Sequence, residues 1–173
     1  MTRLMQESES ASLPLYFPVS ITKFLVMHFC TLGAYQFYWF YENWKIIRER
    51  EHTAISPFWR TFFAFIFCYA LFGAIRNSAA SLKMPQLAPT HVLATVWILL
   101  SMLWILPDPY WLASFLCICL LVPIQQMANW VNQSSAPNAD RNDRFTAWNK
   151  FAIVIGGPLF VIGAIAAFLP PAE

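Results

Sequence analysis

Long apolar runs joined by short polar links dominate this chain. The runs cover residues 21–41, 57–74, 89–106, 109–127 and 148–169. Each is close to the roughly 20 residues that an α-helix needs to cross a bilayer. Because lipid cannot hydrogen-bond to the backbone, only helices and closed barrels cross it. The runs predict a single all-α membrane domain over residues 1–173. We expect a polytopic helical bundle with four transmembrane helices, plus an N-terminal segment that is either re-entrant or a fifth spanning helix.

The composition agrees with an apolar exterior. Hydrophobic residues make up 58% of the chain and charged residues 12%, whereas a soluble globular protein has about 25% charged residues. The net charge of +2 comes from 11 basic and 9 acidic residues, without the concentrated basic face that nucleic-acid binding requires. The composition therefore argues against an ordinary soluble domain and against a nucleic-acid partner.

Residue types that support catalysis or bind metals form no recognisable pattern here. Cys117 and Cys119 project about 200° apart on a helix, which makes them a poor ligand pair. The sequence contains no His-Glu-x-x-His motif, no Gly-x-Ser-x-Gly motif and no phosphate-binding glycine loop. All four cysteines lie inside apolar runs and are interpreted as packing residues: Cys30, Cys68, Cys117 and Cys119. We therefore expect no cofactor, no metal and no enzymatic activity.

A polar segment precedes the first apolar run, and a basic segment follows it. Residues 1–14 form a polar tail without the basic start and apolar core of a cleavable signal, so we expect residues 21–41 to remain in the mature protein. Residues 42–51 form a basic amphipathic extension, which we expect to continue the helix out of the membrane. Ser56 and Pro57 are residue types that begin helices, at the N-cap and the first helical position.

The orientation in the membrane is left open by the charges. With five spanning helices, seven basic residues lie on the side of the N-terminus and four on the other. The positive-inside rule then leaves the densest basic cluster, Lys45–Arg50, outside the cytoplasm. A break at Thr31-Leu-Gly33 would instead make the first segment re-entrant and give six basic residues against five. Neither count decides between the two arrangements.

The region around this break resembles a known family. Its residues are Thr31-Leu-Gly-Ala-Tyr35-Gln-Phe-Tyr-Trp39-Phe-Tyr-Glu-Asn-Trp-Lys45, followed by Ile55-Ser-Pro-Phe-Trp-Arg60. The pattern resembles the small bacterial membrane proteins grouped as domain of unknown function 4234. The resemblance implies a multi-pass protein of the bacterial inner (cytoplasmic) membrane and favours the re-entrant form. It implies no particular activity and supplies no catalytic or ligand-binding residues.

Basic residues near the predicted membrane surface are the first candidate site. Lys45, Arg48, Arg50 and Arg60 together suit anionic lipid headgroups, at about 1 kcal/mol per basic residue. Arg60 lies one turn inside the second apolar run, from which a long side chain can reach the interface. The competing interpretation is that these residues only determine the topology.

Three polar residues inside the first apolar run are the second candidate site. His28, Thr31 and Gln36 share one helical stripe if the helix is continuous, and gather around the turn if it breaks at Gly33. Ionisable groups within membranes are functional candidates. A histidine that hydrogen-bonds a neighbouring helix is the structural alternative.

Small residues in the last apolar run are the third candidate site. Ala152 and Gly156, and then Gly163 and Ala167, have the spacing that lets another helix approach closely. We expect packing within the chain, and a second copy or a membrane-protein partner is the alternative.

Three functional classes remain compatible with the sequence. The favoured one is a non-enzymatic membrane scaffold or partner-binding subunit, whose partners are membrane lipids, a second copy or another membrane protein. The second is a small oligomeric channel or transporter, supported by the intramembrane polar cluster. The third is an immunity-type protein against a membrane toxin, supported by size and helix count alone.

Overall fold

The structure, a computed structural model, describes residues 13–169. The predicted polar tail, residues 1–14, therefore lies almost wholly outside the described residues. Two 3₁₀ helices, Leu103–Ile105 and Tyr110–Cys117, accompany the α-helices, and no strand occurs in residues 13–169. The α-helices of this range are α1 (Ile21–Cys30), α2 (Ala34–Glu51), α3 (Pro57–Phe62), α4 (Ala64–Ser81), α5 (Thr90–Met102), α6 (Ile118–Ser135) and α7 (Ala147–Ala166). The all-α prediction is confirmed for this part of the chain.

The first apolar segment breaks where Gly33 was expected to break it. Leu32 has φ 51° and Gly33 has φ 85°, both in the left-handed region, which glycine adopts readily and other residues rarely do. The Gly33 amide donates to the carbonyl of His28 at 2.8 Å and so closes the C-terminal end of α1. Helix α2 then runs to Glu51, as the basic extension predicted.

Helix α2 folds back along α1. The rings of Phe24 and Trp39 lie 5.8 Å apart. Further from the turn, Arg50 Nη1 donates to the carbonyl of Leu15 at 2.7 Å. Residues before α1 therefore lie beside the C-terminal end of α2, as in a helical hairpin.

Side-chain amides hold the segment before α1, residues 15–19. Asn132 accepts from the backbone amide of Tyr16 at 3.0 Å and donates to its carbonyl at 2.8 Å. Gln125 donates to the carbonyls of Phe17 and Val19 at 3.1 and 3.3 Å, and Asn129 donates to the carbonyl of Val19 at 2.9 Å. A buried backbone without helix or sheet pairing requires such partners. Asn129, Asn132 and Gln133 lie beyond the predicted apolar run 109–127, but all three belong to α6.

Several elements meet at this segment, and we call this region the polar end of the bundle. Tyr16 Oη lies 2.8 Å from Ser78 Oγ of α4, and Asn142 donates to the carbonyl of Pro18 at 3.0 Å. Lys23 is 2% exposed, and its ammonium donates to Asn142 Oδ1 and to the carbonyl of Arg144, each at 2.7 Å. The polar end thus contains the C-terminal ends of α2, α4 and α6 and the N-terminal ends of α1 and α7.

The predicted span 57–74 is not one continuous helix. Ser56 caps α3 and Pro57 opens it, as expected. The chain then turns at Phe63, whose ψ of 40° departs from helical values, and α4 continues to Ser81. The hydrogen bond from Arg50 to the Leu15 carbonyl shows that the loop before α3 begins at the polar end. The contact between Ser78 and Tyr16 shows that the C-terminal end of α4 lies there as well. Both ends of this segment therefore lie at the polar end.

The last three predicted runs correspond to helical segments with shifted boundaries. The run 89–106 is α5 with the 3₁₀ helix Leu103–Ile105. The run 109–127 begins as a 3₁₀ helix and continues through α6 to Ser135, eight residues further than expected. The run 148–169 is α7, within a few residues. Within the described residues, Tyr110–Ser135 and α7 are the helices that are long and apolar enough to span a membrane.

The turn between α1 and α2 lies level with the middle of α7. Gly156 is the tenth residue of this 20-residue helix. A Cβ at Gly156 would overlap the carbonyl oxygen of Cys30, the last residue of α1. Since α7 is about 30 Å long at 1.5 Å per residue, the turn lies about 15 Å from either of its ends.

Candidate binding groove

A groove with a volume of about 720 Å³ opens beneath the α1–α2 turn. The turn and Gln36 form one end, α5 and the 3₁₀ helices form one wall, and the second half of α7 forms the other. Aromatic side chains make up much of the surface: Phe37, Phe65, Trp97, Trp104, Trp111, Phe115 and Phe160. The polar side chains among the lining residues are His28, Gln36, Ser101, Ser114 and Cys117. Ligand pockets commonly combine an apolar lining with a few polar groups in this way.

His28 is the most unusual of these polar residues. Its side chain is 1% exposed, yet neither ring nitrogen makes a well-formed hydrogen bond within the described residues, and its nearby polar neighbour is a backbone group of Phe115. The ring packs edge-on against Phe29 and Phe115, with centroids 5.5 and 5.8 Å away. Because an unpaired buried polar group costs about 1–3 kcal/mol, native structures rarely retain one without a reason.

Only the oxygen of the Gln36 side-chain amide has hydrogen-bond partners among the described residues. Its Oε1 accepts from Trp97 Nε1 at 3.2 Å and from the Cys117 thiol at 3.5 Å. Its Nε2 donates to none of the described residues and faces the groove with the rest of the side chain. Ser101 Oγ is also buried without a well-formed hydrogen bond and lies near the Cys117 thiol.

The predicted cluster of His28, Thr31 and Gln36 is only partly assembled. His28 Cε1 and Gln36 Nε2 each lie 3.7 Å from the position that a Cβ of Gly33 would take, so the turn does gather these two. Thr31 has a structural role instead. Its hydroxyl donates to the carbonyl of Met27 at 2.7 Å and accepts from the amide of Tyr35 at 2.9 Å, and it does not line the groove.

The small residues of α7 divide between close packing and open space. Gly156 is in direct contact with α1, and Ala152 packs against the core. The expectation that Gly163 is a close-approach point is wrong within the chain, because a Cβ there would meet nothing within 4 Å. Its neighbour Phe160 makes the contact, with ring centroids 5.3 Å from Phe29 and 5.0 Å from Phe115. Ala167, which follows the last residue of α7, is 6% exposed.

The four basic candidates are not one open patch. Lys45 lies 3.9 Å from Glu42, and Arg48 lies 3.7 Å from Glu49. Arg50, besides holding the Leu15 carbonyl, pairs with Glu51 at 2.9 Å. The Arg60 guanidinium stacks on Trp44, 4.3 Å from the ring centroid, and lies 5.2 Å from Phe67. Arg50 and Arg60 therefore have structural contacts, while Lys45 and Arg48 remain accessible.

The charges of the described residues are strongly asymmetric. The link between α5 and α6 lies at the end opposite the polar end, because Cys117, at the end of the following 3₁₀ helix, is already level with Gln36. That link contains Asp108 and no basic residue. Every basic residue within 13–169 lies in an element or loop of the polar end: Lys23, Lys45, Arg48, Arg50, Arg60, Arg76, Lys83, Arg141, Arg144 and Lys150.

A smaller pocket of about 270 Å³ lies at the polar end itself. It is lined by Asn129, Asn132, Asp140, Arg141 and Asp143, together with three prolines and other small residues. Its amides already hold the segment before α1, so its polar groups are largely occupied. Among residues 13–169 no three histidine, cysteine or acidic side chains lie close enough together to hold a metal ion.

Several groove residues were not singled out from the sequence. Ser101 is a polar residue within an apolar run, and that pattern was a usable signal. The aromatic residues Trp104 and Phe160 carried no such signal, because aromatic residues occur throughout the chain. Comparison with protein-family models, with curated proteins and with solved structures finds no significant match in any of the three.

Proposed function

We propose that this chain is a non-enzymatic, multi-pass membrane protein that binds a partner molecule within the bilayer, through the groove beside α7. The observation that carries the proposal is His28. Its ring is buried without a well-formed hydrogen bond and lines an apolar groove, and it lies level with the middle of α7, a helix long enough to span the membrane. The resemblance to the domain of unknown function 4234 proteins supports a bacterial inner membrane.

The exposed surface of α7 supports the membrane location. None of its residues is buried in the bundle. Its exposed side chains include Phe151, Val154, Ile162 and Ile165, each more than half exposed. A soluble protein rarely exposes an apolar face of this extent, whereas lipid accommodates it without cost.

The proposed topology has three crossings and two half-depth hairpins. The crossings are α5 with its 3₁₀ extension, Tyr110–Ser135, and α7. The hairpins α1–α2 and α3–α4 enter and leave at the polar end. The length of α7, about 30 Å, matches the hydrocarbon core, and the α1–α2 turn then lies near the midplane. Since the described basic residues all lie at the polar end, the positive-inside rule assigns that end to the cytoplasm.

A conduit has less support than a binding protein. A channel requires a hydrated path through both halves of the bundle. Beyond the groove, Trp39, Phe40 and Trp97 are fully buried against one another, so the apolar core closes the path. A binding site that ends at these aromatic residues agrees better with the geometry.

Filling the groove tests the proposal. Gly163→Phe adds a ring where nothing lies within 4 Å, and Gly73→Phe does the same on α4, outside the groove. Each protein is purified in mild detergent, and its bound small molecules and proteins are identified by mass spectrometry. We expect an occupant that copurifies with the wild type and with Gly73→Phe but not with Gly163→Phe. An identical set of copurifying molecules for all three proteins would contradict the proposal.

A further inference from the structure

The polar atoms of the groove that lack well-formed hydrogen bonds indicate which hydrogen-bonding groups a bound molecule must carry. Gln36 Nε2 carries two donors, a neutral histidine ring has one donor and one acceptor, and Ser101 Oγ has one donor and two acceptor lone pairs. None of these groups makes a well-formed hydrogen bond in the described residues, although the Cys117 thiol lies near Ser101 and a backbone group of Phe115 lies near His28. Donors therefore outnumber acceptors, and the best complement is a molecule that presents acceptor oxygens. No carboxylate, lysine or arginine side chain lines the groove, so a charged occupant would have no counter-ion there, and the groove favours an uncharged one.

Acceptor oxygens could come from phospholipid ester carbonyls or from a molecule without a charged headgroup. The depth of the groove's polar atoms in the bilayer distinguishes these two sources. The ester carbonyls of phospholipids lie at the edge of the hydrocarbon core, about 15 Å from its centre. The α1–α2 turn, with His28 and Gln36 beside it, lies level with the middle of α7. A phospholipid could bring its carbonyls there only by pulling its headgroup into the apolar region. A molecule without a charged headgroup avoids this cost.

The lining favours a flat ring. Trp97, Trp111, Phe115 and Phe160 surround the polar atoms, and Phe115 and Phe160 meet at a tilt of 66° with centroids 5.0 Å apart. Aromatic faces of this kind bind planar rings by stacking and edge contacts. The groove also opens along α7 past Leu159 and Gly163, which leaves room for an apolar tail.

We propose that the groove binds an uncharged, planar ring that carries carbonyl oxygens and an apolar tail, the chemistry of a membrane quinone. His28 and Gln36 donate hydrogen bonds to the ring carbonyls, and the aromatic wall covers the ring faces. This inference rests on the proposed binding function, because it names the occupant of the same groove.

A short quinone tests it. A benzoquinone with a ten-carbon alkyl chain is titrated into the full-length protein in nanodiscs, and the quenching of tryptophan fluorescence is followed. Trp97, Trp104 and Trp111 line the groove, so a bound quinone quenches them. We expect saturable quenching for the wild type and about fivefold weaker binding for His28→Leu, since one hydrogen bond contributes about 1 kcal/mol. His91→Leu is the matched control, because this exposed histidine of α5 does not line the groove, and it should bind as the wild type does.

Other outcomes identify other occupants. Quenching that rises without saturation, or equally in the wild type and His28→Leu, shows partition into lipid and overturns the quinone proposal. If brominated phospholipid chains quench the groove tryptophans and the quinone does not relieve this, lipid fills the groove and the quinone is excluded. A dimer that Gly163→Phe dissociates would make a second copy the occupant. That result overturns the quinone but leaves intramembrane binding intact, whereas the failure of Gly163→Phe to change any copurifying molecule overturns the proposed function itself.

Discussion

Gly156 of α7 lies so close to the carbonyl of Cys30 that a single added methyl group would overlap the oxygen. This contact joins the end of the first hairpin to the middle of the last helix, and it fixes the depth of the groove. We therefore expect Gly156→Ala to lower the thermal stability of the detergent-solubilised protein. Overpacking costs about 1–3 kcal/mol, more than the roughly 1 kcal/mol that alanine gains over glycine in a helix.

Gly157 provides the matched control for this substitution. A Cβ there would lie 3.7 Å from the Cys30 thiol, an ordinary contact, so Gly157→Ala should leave the melting temperature unchanged or raise it. Equal melting temperatures for the two variants would show that α1 does not approach α7 at Gly156.

Asn132 should be the most sensitive amide at the polar end. Asn132→Leu leaves both the amide and the carbonyl of Tyr16 without their partners. Hydrogen bonds in membrane proteins contribute about 0.6 kcal/mol each, and groups left unpaired and buried cost more. We expect a loss of about 1–3 kcal/mol in unfolding free energy and faster protease cleavage before Ile21.

The neighbouring Gln133 is exposed and provides the comparison. Gln133→Leu should leave both the unfolding free energy and the cleavage rate close to the wild type. Faster cleavage in both variants would mean that the segment before α1 is not held by Asn132.

Phe160 and Gly163 should respond in the opposite order from the one that helix-packing motifs suggest. Phe160→Ala removes a partly buried ring packed on Phe29 and Phe115 and should destabilise the protein by about 1–3 kcal/mol, since each aromatic pair contributes about 0.5–1.5 kcal/mol. Gly163→Ala adds a methyl group in open space and should be neutral or slightly stabilising. The two variants are compared by chemical unfolding, followed by circular dichroism. A larger loss for Gly163→Ala would place a partner helix against this glycine.

Much of the local structure follows from residue types. The cap at Ser56, the end of the basic extension at Glu51 and the approximate position of α7 were predicted from the sequence, and the break at Gly33 was one of the two arrangements that the sequence left open. Each depends on a local rule, such as the conformational freedom of glycine or the preference of proline for the first helical position. Local rules operate over a few residues, so the sequence alone is sufficient for them.

Whether the chain crosses the bundle or returns to the same end between these local features could not be predicted from local rules. Phe63, where α3 ends, is not a helix-breaking residue, so the composition of the run 57–74 gave no reason to divide it. The position of the segment before α1 depends on Asn43 and Asn132, which bind residues far away in sequence, Phe17 and Tyr16. Apolar length alone cannot distinguish a crossing from a hairpin that returns to the same end.

Among the residues of the candidate site, too, some were predicted correctly from the sequence and others were not. His28 and Gln36 were identified as polar residues within an apolar run, and Gly33 brings them together. Thr31 was grouped with them by helical spacing, but it caps the turn instead. Gly163 was taken as a packing residue because of its spacing from Ala167, whereas the partner surface that would decide its role is not encoded in α7.

The side of the membrane on which each loop lies is the most direct test of the proposed topology, with three crossings and two hairpins that return to the polar end. The four native cysteines are replaced by alanine, and single cysteines are placed at the exposed positions His52, Gln86, Asn138 and Asp108. Intact cells are treated with a membrane-impermeant maleimide, and lysed cells provide full labelling. We expect Asp108→Cys to be labelled in intact cells, and His52→Cys, Gln86→Cys and Asn138→Cys to be labelled only after lysis. Labelling of His52→Cys and Gln86→Cys on opposite sides would mean that residues 57–81 cross the membrane, and it would contradict the half-depth hairpin and the charge asymmetry together.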